Sequence, residues 1–133
     1  MKFWHGALLP MALGCGACSS SKVQSADVTV ASASGALRVK LHMTPDPPTL
    51  DTNAAEITVT RTADGTPVDG LTVTVMPWMP AMNHGSSNPP VMPAGDGKYE
   101  ISSVYLYMSG LWDLKTAFSG PITDHVVLPV QIP

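Results

Sequence analysis

The sequence predicts an all-β domain, a sandwich of about seven short antiparallel strands. Three observations predict it. Thirteen prolines and 11 glycines in 133 residues work against long helices. Hydrophobic residues make up 44% and charged residues 13%, too apolar a balance for a disordered chain. From Ala36 onward, apolar residues recur with a period of two. The length fits one domain.

The elements follow in chain order. Residues 1–14 place Lys2 before a short apolar stretch that ends in small residues, the layout of a secretory signal peptide. Cys15 follows Gly14, and the pair resembles a bacterial lipobox, in which a small residue precedes the cysteine that receives the lipid. Cys15 is the expected lipidation (palmitate) site, with Cys18 after Ala17 as the alternative. Plain secretion, with a Cys15–Cys18 disulfide or free thiols, is the other reading. Both cysteines precede the body of the chain, so no disulfide staples the core. Residues 15–35 read as the lipidated cysteine and a serine-rich tether, in which Val28–Val30 adds a weak edge strand. No apolar run reaches the roughly 18 residues of a membrane span.

Residues 36–133 form the expected domain. Leu37, Val39, Leu41 and Met43 share one face of the first strand, against Arg38, Lys40 and His42. Thr44-Pro45-Asp46-Pro47-Pro48 breaks it. Ile57 and Val59 point inward from the second strand. Turn signals at Gly65-Thr66-Pro67 and Asp69-Gly70 lead to Leu71, Val73 and Val75. Pro77 and Pro80 are expected to end that strand near Met76. A short piece at Val91–Pro93 precedes the hairpin turn Gly95-Asp96-Gly97. Tyr99 and Ile101 then face inward, and the parity shifts before Val104 and Leu106, which places a bulge at Ser102-Ser103. Trp112, Leu114, Thr116 and Phe118 make the next inward face, with Trp112 as the central core residue. Val126, Leu128, Val130 and Ile132 close the domain. Strand number and spacing fit an immunoglobulin-like sandwich, with a small open barrel as the other solution.

The composition also restricts function. A net charge of −3 and seven scattered basic residues argue against nucleic-acid binding. No Gly-x-Ser-x-Gly elbow, phosphate-binding loop or paired acid motif is present, so no enzyme is expected. One segment stands out: Met76-Pro77-Trp78-Met79-Pro80-Ala81-Met82-Asn83-His84-Gly85. Thioether sulfur is soft and uncharged, so a thioether–imidazole set suits copper, Cu(I) above all, better than zinc or magnesium. His84 serves Cu(II) as well. The expected ligands are Met79, Met82 and His84 on an exposed loop. Met108, brought to the same end by the next hairpin, is a possible fourth, and Met76 and His42 are weaker candidates. The packing alternative folds Met79 and Met82 back as a lid on the core. Trp78 stacks on the metal or covers the core end.

Three stretches together resemble the YtkA-like domain, a family related to FixH-type proteins. They are Met79-Pro80-Ala81-Met82-Asn83-His84-Gly85, Gly97-Lys98-Tyr99, and Met108-Ser109-Gly110-Leu111-Trp112-Asp113-Leu114. Thr66-Pro67-Val68-Asp69-Gly70-Leu71-Thr72-Val73 extends the likeness, which runs over residues 37–132. The resemblance implies a β-sandwich on the outer side of a bacterial membrane and a link to copper handling or copper-oxidase assembly. FixH-type proteins are usually held by a transmembrane helix, and a lipid on Cys15 would take its place. The expected function is a lipid-anchored copper module facing the periplasm or exterior: a chaperone, buffer or delivery factor. It would exchange copper with an envelope protein. The alternative is a module without metal that docks envelope proteins through the same loop.

Overall fold

The computed structural model describes residues 27–133. The expected signal peptide, Cys15 and Cys18 therefore lie outside the described residues. Nine strands are present among them: β1 Val28–Ala31, β2 Leu37–Thr44, β3 Asp51–Arg61, β4 Thr72–Met79, β5 His84–Gly85, β6 Val91–Gly95, β7 Lys98–Leu106, β8 Gly110–Ser119 and β9 Asp124–Ile132. They form two antiparallel sheets, in the orders β1-β2-β3-β7-β6 and β5-β4-β8-β9. The protein is an all-β sandwich.

Parity placed most of these strands correctly. Leu37, Val39, Leu41 and Met43 are buried along β2, and Ile57 and Val59 along β3. Trp112 is fully buried in the core. The weak edge strand at Val28–Val30 forms and pairs with β2, so the sheet begins upstream of Ala36. Between Gly95 and Lys98 the chain turns on Asp96 and Gly97, with φ of 54° and 72°. Two successive positive φ values give the turn whose twist matches the flanking strands. The expected bulge is present. Ala55 faces Ile101 and Asn53 faces Val104, so Ser102 and Ser103 together oppose Ala54. Ser103 has φ 56°.

One boundary differs from expectation. β4 does not stop near Met76 but continues through Pro77 to Met79. The carbonyl of Pro77 accepts from Ser86 N–H at 3.2 Å, so its nitrogen also faces the β5 side. There β5 is only two residues long and pairs with Trp78 and Met79 alone. The missing N–H of Pro77 breaks no ladder bond. Pro93 on β6 and Pro129 on β9 sit on edge strands.

The two outer faces differ in character. The first sheet presents Arg38, Lys40, His42, Glu56 and Glu100. The second presents Met76, Leu111 and Val127, all exposed, with Lys115 over the Trp78 ring at 4.6 Å.

Candidate functional site

The β4–β5 hairpin supplies the first half of the site. Met79 and His84 are cross-strand partners, separated by the turn Pro80–Asn83. Met82 N–H donates to Met79 O at 3.2 Å, Asn83 N–H donates to Pro80 O at 3.3 Å, and Asn83 adopts φ 53°. Directly opposed residues project from the same face of a sheet. Met79 points inward with 2% exposure, so His84 leaves β5 on that inner side. The hairpin closes this tightly because residue 85 is glycine. A Cβ there would lie 2.4 Å from the Pro77 carbonyl oxygen and 3.1 Å from Trp78 Cε3.

The β7–β8 connection supplies the second half. Tyr107 Oη lies 2.6 Å from His84 Nδ1 and 3.4 Å from the Gly85 carbonyl oxygen. The two rings stack, with centroids 5.5 Å apart and planes 16° apart. Trp112 meets Tyr107 edge-on at 5.3 Å, and its Nε1–H donates to the Met108 carbonyl at 2.9 Å. A Cβ on Gly110 would sit 3.0 Å from Met79 Cε, so the Met79 methyl reaches the same connection. Ser86 Oγ, two residues past His84, is buried without a hydrogen-bond partner.

The sandwich thus gathers Met79, His84 and the Tyr107–Gly110 connection at one end. Met108 is half-buried there against the core, and Met82 stands at the exposed hairpin tip. Met79 corrects the expectation of a solvent-facing loop: it belongs to the core. The lid reading holds for Met79 and not for Met82. Two weaker candidates are placed elsewhere. Met76 is three residues before Met79 and so faces the outer side of the second sheet. His42 lies on the outer face of the first sheet, with Nδ1 2.6 Å from Asp27 Oδ1. Trp78 neither covers the core nor points to the site, but lies outward beneath Lys115. Tyr107 is the site residue that sequence reading missed. Strand parity after Leu106 turns it outward, and only its position beside Met108 hinted at the site.

The YtkA-like family profile matches residues 31–117. The chain belongs to the YtkA-like family. No curated protein and no solved structure matches it significantly. The matched stretch of this YtkA-like domain runs from β1 into β8, so it contains the whole hairpin and the Tyr107–Trp112 connection.

The motif segments of the YtkA-like domain divide by position. Gly97-Lys98-Tyr99 lies at the opposite end from the hairpin, where β7 begins. Gly97 donates its N–H to Asp69 Oδ1 at 2.8 Å, and a Cβ there would lie 2.5 Å from the Val59 carbonyl oxygen. That segment is structural. The other two segments meet at the hairpin end, where Gly110 approaches the Met79 methyl. Their side chains offer thioethers and an imidazole. Thioether and imidazole donors are soft to borderline ligands for transition metals. A separate exposed group, Asp27, His42 and Asp46, brings three ligand atoms within 4.8 Å of one another. Asp27 there also pairs with Lys40 at 3.7 Å. The hydrogen bond with His42 is the main reason its carboxyl is held below the usual range.

Proposed function

We propose that this YtkA-like domain is a copper-binding module rather than an enzyme, carried on a lipid anchor at Cys15 or Cys18 and facing the periplasm or exterior. It takes Cu(I) at Met79, Met82, His84 and Met108, as a chaperone, buffer or oxidase-assembly delivery factor. It passes the metal to or from an envelope protein by ligand exchange. The observation that carries this reading is the cross-strand pairing of Met79 with His84 beside the connection that bears Met108. Met82 at the exposed tip gives a first contact for incoming metal, and Met79 gives a buried one. The deciding experiment is Cu(I) titration against a chromophoric chelator. It uses the full chain with Cys15→Ser and Cys18→Ser, so that thiolates do not compete. Met79→Leu with Met82→Leu keeps volume and apolarity, which costs a core less than about 1.5 kcal/mol. Binding is expected in the parent and lost in the double variant. Equal binding in both overturns the assignment.

A docking module without metal is the second reading; the surface that favours it is not the expected Met79–His84 loop but the outer face of the second sheet. Met76, Lys115, His125 and Val127 line an apolar groove of about 340 Å³ there. This groove faces away from Met79 and His84, so the two readings rest on different residues. Met76→Glu with Val127→Glu is expected to abolish crosslinking to an envelope partner from this face and to leave the Cu(I) titration unchanged.

A further inference from the structure

We infer that Tyr107 is a positioning residue that presents His84 to the metal through Nε2. The inference rests on the copper reading above and names how its one imidazole is aimed. A neutral imidazole has one protonated nitrogen and one lone pair, and a metal takes the lone pair. His84 Nδ1 is engaged by Tyr107 Oη at 2.6 Å, so Nε2 is the nitrogen left to ligate. For Nε2 to carry the lone pair, Nδ1 must be protonated and Oη must accept. A phenol that accepts still has its own proton to place. The Gly85 carbonyl, 3.4 Å away, takes it. That carbonyl is fixed because Gly85 is pressed against Pro77 and Trp78.

The hydroxyl therefore works in both directions. In the metal-free protein Oη–H can donate to Nδ1, with the imidazole proton on Nε2. On ligation the imidazole proton leaves Nε2 for solvent, and Nδ1 takes one up. The hydroxyl then turns to Gly85, and the protein's proton count is unchanged. Stacking at 16° fixes the imidazole plane, and the edge of Trp112 braces the tyrosine ring. Phenylalanine keeps the stack and loses both hydrogen bonds. Removing such an outer partner typically weakens metal binding about 10–100-fold.

The test uses the full chain with Cys15→Ser and Cys18→Ser, labelled with ¹⁵N in its imidazoles. Ag(I) serves as a diamagnetic stand-in for Cu(I) in NMR, and Cu(I) competition gives affinity. The expected wild-type result is a metal-dependent shift at His84 Nε2 with Nδ1 in the protonated form. Tyr107→Phe is expected to bind Cu(I) about 10–100-fold more weakly and to ligate through both nitrogens. Ligation through Nδ1 in the wild type overturns the inference. So does a Tyr107→Phe protein with unchanged affinity and Nε2 ligation alone. If Tyr107→Phe does not fold, the wild-type spectrum decides by itself. If neither metal shifts any His84 resonance and Cu(I) does not bind, the copper reading fails and takes this inference with it. That outcome is distinct from binding through the wrong nitrogen.

Discussion

The hydroxyl of Tyr99 donates to the Val68 carbonyl at 2.8 Å and accepts from Leu71 N–H at 3.1 Å. Tyr99 is 1% exposed, so water has no ready route to replace it. Both backbone groups belong to the loop before β4, and the single phenol satisfies both. Tyr99→Phe leaves a buried donor and a buried acceptor unpaired, which costs about 1–3 kcal/mol. A lower urea midpoint of that size at pH 7 is the expected result, with Cu(I) titration unchanged because Tyr99 lies at the opposite end from His84. An unchanged midpoint would mean that the loop finds other partners. Tyr107, eight residues on, also carries a hydroxyl between two partners, yet one of them is the imidazole of the proposed copper site. Burial separates the roles: Tyr99 is sealed and structural, whereas Tyr107 is half-buried beside an exposed hairpin tip.

At the scale of elements, the β4–β5 hairpin depends on the absence of a side chain at residue 85. A Cβ 2.4 Å from the Pro77 oxygen cannot be tolerated, and the atom in its way is backbone. Gly85→Ala must push β5 away from β4, and overpacking of this kind costs about 1–3 kcal/mol. The Ser86 amide, which donates to Pro77 O, is expected to exchange its hydrogen faster in Gly85→Ala, and Cu(I) affinity is expected to fall with the displaced His84. Unchanged exchange at Ser86 would show that the hairpin does not need this approach. The strands around the hairpin were legible in the sequence because one buried face imposes a period of two. Leu37 to Met43 and Trp112 to Phe118 show it without interruption, and the parity break before Val104 even located the bulge. β5 was not legible, since two residues carry no period. Pro77 misled because a proline's effect depends on which neighbour its nitrogen faces, and that neighbour is set by tertiary pairing. The thioether and imidazole donors were legible by residue type. Their burial was not, because Met79 lies in a strand whose length the sequence understated. His42 was drawn to the site by its place near the end of β2, whereas the face it occupies belongs to the other side of the sheet.

Across the whole molecule, the two sheets are tied along one side by Asp124, at the start of β9. Its carboxylate accepts from Ser34 Oγ at 2.5 Å, from Ser34 N–H at 3.2 Å and from His125 N–H at 2.9 Å. Ser34 belongs to the β1–β2 turn, so these bonds join the edge of the first sheet to the edge of the second. Ala33 N–H adds a bond to the His125 carbonyl at 2.8 Å. Burial by itself would raise the Asp124 pKa. The hydrogen bonds, from the Ser32 and Ser34 hydroxyls and the His125 and Ser34 amides, outweigh it and hold the carboxyl at about 2, against 3.8 for the unperturbed group. A folded-state pKa below the unfolded one means that folding favours the ionised form. The contribution is therefore fully present above about pH 4 to 5 and is lost as pH falls toward 2. A shift of this kind corresponds to about 2 kcal/mol. Asp124→Asn removes the charge that these donors stabilise and makes the site indifferent to pH. The difference in urea-unfolding free energy between wild type and Asp124→Asn is thus expected to be largest at neutral pH and to shrink steadily from pH 4 to pH 2. Carboxylates elsewhere, including Asp64 held low by Thr66, titrate in both proteins and drop out of the comparison. A difference that stayed constant with pH would mean that Asp124 joins the sheets by shape and neutral hydrogen bonding, with no share for its charge.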